Sequence, residues 1–162
     1  MKNSIFHLLL ALCLTTQTMS AQMLSKGVTK ELAAYRKANI SKVIYDLSFN
    51  IPADPRDPVK GKAIISFNLT KQQDVVLDFQ GEFDGSCYAY VERDNGKMKR
   101  TPMVATYYNE HIILPMELMR EGANKVELEF TANDKALNRN NDYMYTLFVP
   151  DLARSEIGRA HV

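Results

Sequence analysis

Five side chains in this 162-residue sequence could ligate a soft metal or attack a substrate: His7, His111, His161, Cys13 and Cys87. A zinc site takes several His, Cys or carboxylate ligands at fixed spacing. Whether these five could form one depends on where they lie along the chain.

His7 and Cys13 fall in residues 1–21, which read as a cleavable secretory signal peptide. Lys2 is its only charge, Ile5 to Leu14 is a nearly unbroken apolar run, and small Ser20 and Ala21 precede Gln22. The apolar run is about ten residues, roughly half of the ~20 that a membrane-spanning helix needs. A retained anchor and a lipid-modified Cys13 are the rival readings, and Leu12 is too large for the position before such a cysteine. The chain is therefore expected to be exported, periplasmic or extracellular, with no membrane span.

His161 falls in residues 156–162. Reverse translation of Ile157 to Val162 can give ATC GGA AGA GCA CAC GTC, the start of a widely used sequencing adapter. The adapter's preceding AG completes a codon for Glu156. The expectation is a non-native tail, read through from a truncated gene; a natural polar tail is the alternative.

Setting both ends aside leaves His111 and Cys87, too few for the usual zinc set, so no cofactor and no metal ligand are expected in this chain. A disulfide within it is excluded too, and a lone Cys reads as a small buried hydrophobe. Removing Lys2 and Arg159 takes the basic count from 20 to 18, and removing Glu156 takes the acidic count from 19 to 18. Nucleic-acid binding needs a basic footprint that a balanced chain lacks. Hydrophobic residues at 46% and charged residues at 24% exclude disorder and collagen-like repeats.

The elements that must position any site are mostly strands. Residues 22–39 form a lead-in with one short peripheral helix, Thr29 to Lys37, with Thr29 as N-cap. From Val43 the hydrophobic period becomes two. Val43, Tyr45, Leu47, Phe49 and Ile51 give one apolar face of a half-buried strand. Pro52, Pro55 and Pro58 break it, and Val59, Ala63, Ile65, Phe67 and Leu69 mark the next. Further strands are expected at Val75 to Phe79, Cys87 to Glu92, Val104 to Tyr108, His111 to Leu114, Lys125 to Thr131 and Tyr143 to Val149. Asp94-Asn95-Gly96 carries the strongest hairpin signal, with Lys97 to Arg100 as a polar returning arm. Asn133 to Asp142 reads as a polar loop. Many short strands with almost no helix predict an all-β fold, an antiparallel sandwich or saddle-shaped sheet.

Four groups on these strands could carry chemistry. Asp78, Glu82 and Asp84 could offer oxygens to a hard cation, but calcium needs six or more in a defined loop, and solvated turn carboxylates are the plainer reading. Arg93, Lys97, Lys99 and Arg100 flank the hairpin and read as a charged tip that protects an edge. His111 sits among Ile112, Ile113 and Leu114 and reads as a strand residue rather than a base. Tyr88, Tyr90, Tyr107 and Tyr108 could stack on sugar, but tyrosine also packs in strands for its own sake. No phosphate loop, nucleophile elbow or H-E-x-x-H helix occurs.

Two stretches resemble the N-terminal β-domain of zinc aminopeptidases of the aminopeptidase N family. The first is Val43-Ile44-Tyr45-Asp46-Leu47-Ser48-Phe49-Asn50-Ile51-Pro52, with Val59-Lys60-Gly61 opening the next strand. The second is Leu137-Asn138-Arg139-Asn140-Asn141-Asp142-Tyr143-Met144-Tyr145-Thr146-Leu147-Phe148-Val149-Pro150-Asp151. The likeness covers roughly residues 40–155. It implies a non-catalytic domain that packs over a thermolysin-like zinc domain, helps wall the substrate cavity, and has that domain as its partner. The zinc ligands, the general-base Glu and the Gly-x-Met-Glu-Asn-type strand would all lie in the absent part, so no site residue carries over. After Ala153-Arg154-Ser155 the family continues with a Phe-Pro-x-Phe-Asp-type segment, and here Glu156 to Val162 stands instead. Alone, the chain is expected to cleave nothing and to leave exposed an apolar patch that favours association. The alternatives are a freestanding exported module that binds glycan or protein, and a scaffold from a zinc-less family member.

Overall fold

The computed structural model describes residues 24–80, 83–93 and 96–132, and the backbone of 137–139 and 144–146. Helix α1 (Lys30–Asn39) comes first, and strands follow: β1 (Ile40–Asn50), β2 (Lys60–Leu69), β3 (Val75–Asp78), β4 (Ser86–Glu92), β5 (Met98–Met103), β6 (Thr106–Tyr108), β7 (His111–Leu114), β8 (Gly122–Thr131), β9 (Leu137–Arg139) and β10 (Met144–Thr146). One 3-10 turn spans Met116–Leu118.

Two antiparallel sheets form a sandwich, as the period-two pattern predicts. The larger has the order β1-β2-β8-β4-β5 and the smaller β3-β7-β6. The alternation of β2 is the clearest cause: Ala63, Ile65, Phe67 and Leu69 are all buried, while the residues between them face out. Across the ladder Ala63 meets Leu128 and Ile65 meets Val126, and β4 adds Cys87 and Ala89. From the smaller sheet Val75, Ile112 and Leu114 close the same core. Gly61 also points inward, and the Phe130 ring fills the space that a side chain would take, 2.4 Å from where a Cβ would stand.

Several boundaries differ from the sequence reading. The expected strand Val104 to Tyr108 begins only at Thr106, because β5 runs on to Met103 and the chain changes sheets at Val104–Ala105. The polar loop expected over Asn133 to Asp142 contains β9, which pairs with β10; the rest of the strand expected over Tyr143 to Val149 lies outside the described residues, as do Asp94 and Asn95 of the hairpin signal. The tightest described hairpin is instead Asn109–Glu110, both at positive φ (50° and 65°) between paired Tyr108 and His111. That is the twist a two-residue turn needs, supplied without a Gly. The apolar face expected on β1 is covered only at its start. Val43 and Tyr45 pack against the core, whereas Leu47, Phe49 and Ile51 are exposed, Phe49 meeting the Phe130 ring edge to face.

The helix is more than a peripheral lead-in. Thr29 accepts a hydrogen bond from the Leu32 amide (3.1 Å), Glu31 lies in the first turn and Arg36 and Lys37 in the last, each sign favoured by the helix dipole. Leu32 is fully buried against Leu24, Val76 and Ile113, on the face of the smaller sheet opposite the main core. Arg36 reaches the Val76 carbonyl (3.0 Å), so α1 also covers the otherwise open edge of β3.

Candidate functional site

Three places bring chemistry-bearing side chains together, and each begins with strand alternation. The first is centred on β3 and β7. Asp78 and His111 are cross-strand partners, both on the helix side. The Arg36 guanidinium grips Asp78 with two 2.7 Å hydrogen bonds, a bidentate fit that suits Arg. The other face of the cluster is His111, whose Nδ1 lies 3.0 Å from Asp78 and whose Nε2 lies 3.1 Å from the Ser25 carbonyl. Asp78 is thus no solvated turn carboxylate: it ties helix, sheet and N-terminal segment together. Of its expected neighbours, Glu82 lies outside the described residues. Asp84 accepts from the Thr131 hydroxyl (2.8 Å) and amide (3.3 Å), and those bonds hold its carboxyl below the usual range. His111 is a strand residue, as expected, but one with both ring nitrogens engaged. Among the described residues no group of three or more His, Cys, Asp or Glu is placed to hold a metal. Cys87 is buried in the core, and burial pushes its thiol up to about 11, far from nucleophilic.

The second place is the outer face of the larger sheet, where the basic hairpin run and two of the tyrosines meet a residue that the sequence did not single out. Glu127 alternates with core residues and should face water, yet its side chain is only 1% exposed. Arg100 covers it with hydrogen bonds of 3.1 and 2.8 Å, the Tyr90 hydroxyl donates at 2.5 Å, and Lys62 stands at 3.3 Å. Burial works against the charge, but the bonds from Arg100, Tyr90 and Lys62, with the Arg100 charge, outweigh it and bring the carboxyl down to about 2. Arg100 also bonds Glu129 (2.7 Å) and lies 3.2 Å from the centre of the Tyr88 ring; Lys125 sits 4.9 Å over Tyr90. Arg100 is therefore part of a network rather than a solvated tip. Nor do the four tyrosines make one platform: Tyr88 and Tyr90 carry cations on their rings, and Tyr107 and Tyr108 belong to the other sheet. The only sequence signal for Glu127 is an acid alternating with Val126 and Leu128, a pattern shared by many exposed strands.

The third place is the seam where the chain changes sheets. A groove of about 370 Å³ is lined by Phe83, Tyr88, Pro102, Met103, Val104 and Tyr107 among others. Val104 beside it is 91% exposed. A second groove of about 560 Å³ crosses the far end of the larger sheet past Lys60, Lys62, Asp84 and Glu129. Neither holds an unengaged acid–base pair. The first groove offers apolar and aromatic contact, and the second is rimmed by charges.

No protein-family model matches this sequence, and no curated protein matches it. Among the described residues no helix is long and apolar enough to cross a membrane.

Proposed function

We propose that the chain is the N-terminal β-domain of an exported zinc aminopeptidase, without its catalytic domain, and that it removes no residues from peptides by itself. In the complete protein it would cover the zinc domain and help wall the substrate cavity. The reading is supported by the two stretches that resemble the aminopeptidase N family, one on β1 and the opening of β2 and the other on the β9–β10 pair. The observation that carries it is the second of these stretches, Leu137 to Asp151, which is the longer and the more specific of the two likenesses.

Two measurements test this. The purified 162-residue chain, with and without added zinc, is expected to release no more p-nitroaniline from aminoacyl p-nitroanilides than buffer does. Genomic DNA read onward from the codon of Ser155 is expected to encode an H-E-x-x-H helix. Turnover by the chain itself, or a natural stop codon directly after the β-domain, would overturn the proposal.

A further inference from the structure

β1 is an edge strand: among the described residues nothing pairs with its outer side. Natural sheets blunt such edges with bulges, prolines or charges. β1 carries a bulge and a proline at its ends and one charge, Asp46, between them. A bulge lies between Ser41 and Ile44, with Lys42 at φ 53°, and Pro52 follows the other end. Between them Ile44 to Asn50 pairs with β2 in unbroken register, from Ser66 to Lys60. The midpoint of that regular stretch is Leu47.

The side chains on the inward face repeat in mirror order about Leu47. Two residues away on either side stand the aromatics Tyr45 and Phe49, and four residues away the β-branched Val43 and Ile51. Leu47 and Phe49 are 51% and 52% exposed. A strand whose pattern reads the same in both directions is complementary to its own antiparallel copy.

We propose that β1 pairs antiparallel with β1 of a second copy about a two-fold axis at Leu47, joining two five-stranded sheets into one. Within the regular stretch Leu47 then faces Leu47 and Phe49 faces Tyr45, which covers the half-exposed Leu47 and Phe49. The same register sets Asp46 opposite Ser48 and leaves the two Asp46 carboxylates as diagonal neighbours, roughly 7–8 Å apart. That repulsion weakens the pair at low salt. One strand pair buries less than the ~1,200 Å² of a standard interface, so the dimer should dissociate in the micromolar range. The pairing rests on this strand alone and stands or falls apart from the proposed parentage.

The test uses the full chain carrying Cys13→Ser, in which the remaining Cys87 is buried. Facing Cβ atoms in an antiparallel pair are ~4.5–5.5 Å apart, close to disulfide reach. Leu47→Cys should therefore cross-link with its copy under mild oxidation, and Val104→Cys, more exposed but off the axis, should not. Sedimentation should show a concentration-dependent dimer that Leu47→Lys abolishes without loss of the folded circular-dichroism signal, and that Asp46→Asn tightens several-fold. A monomer across the whole micromolar range, cross-linking no faster than through Val104→Cys, or a dimer that survives Leu47→Lys would each overturn the proposal.

Discussion

Replacing Glu127 by Gln keeps the shape of the side chain and removes its charge. In the folded chain the Glu127 carboxyl is brought from 4.5 down to about 2. A gap of that size corresponds to about 3 kcal/mol of preference for the charged form. That figure is an upper bound, because the cations that produce it are themselves half in water: Arg100 is 39% and Lys62 45% exposed. Solvent screening leaves exposed pairs with ~1 kcal/mol or less, and the buried end of this one lifts the expectation to about 1–2 kcal/mol. The sign follows from the depressed value. The native state holds Glu127 ionised more firmly than the unfolded chain does, so the stabilisation is complete above about pH 5, shrinks as the pH falls, and is gone once it passes below the folded value near 2. Urea denaturation of the wild type and Glu127→Gln across that range is the assay. The two midpoints should differ at pH 7, with the wild type the more stable, and should converge towards pH 2. A difference unchanged at the acid end would mean that packing, not charge, holds Glu127, and no difference at pH 7 would refute the network's contribution altogether.

Two further substitutions separate backbone from side-chain causes. A methyl group at Gly85 would stand 1.8 Å from the Glu129 carbonyl oxygen, which belongs to the β8 ladder and cannot swing aside, whereas at Gly61 it would meet only the Phe130 ring. Gly85→Ala should therefore cost on the order of 3 kcal/mol or prevent folding, with Gly61→Ala the milder; equal losses in thermal melts would contradict this. Arg36→Met keeps the buried stem but leaves Asp78 facing only His111 and uncovers the Val76 carbonyl, an expected loss of about 2–4 kcal/mol. Amide exchange should quicken in α1 and β3 more than in β5, and a uniform change would argue that α1 does not hold the β3 edge.

The sandwich was legible because β8 alternates, and β2 does so apart from Ile64, and alternation reports which face is buried. It does not report whether the opposite sheet is long enough to cover that face. β1 therefore reads as half-buried throughout, while Val43 and Tyr45 pack on the core and Leu47 and Phe49 stay half exposed. The same limit explains the polar residues. Asp78 and His111 are separated by 32 intervening residues, yet share one ladder rung; Arg36 joins them from a helix whose sequence looks like any solvent-facing amphipath. Each is unremarkable in its own segment. What makes them a cluster is the order β3-β7, a non-local pairing that propensities do not encode.

The two apolar features exposed among the described residues point to different covers, and their chemistry separates them. The seam at Val104 is irregular: a groove with aromatic walls at the point where the chain passes from β5 to β6, with no mirror order in its side chains, which suits the surface of a different domain. The β1 edge is the opposite case, with regular backbone spacing and side chains arranged in mirror order about Leu47. A heterologous neighbour has no need of that mirror pattern, whereas a second copy does. A catalytic domain joined downstream of the β9–β10 pair could therefore occupy the Val104 seam and leave the β1 edge free to pair. If so, Val104→Glu should leave the dimer of the present chain intact while weakening the hold of the complete protein's catalytic domain, and Leu47→Lys should do the reverse. Loss of both contacts from either substitution would mean that the two surfaces are one.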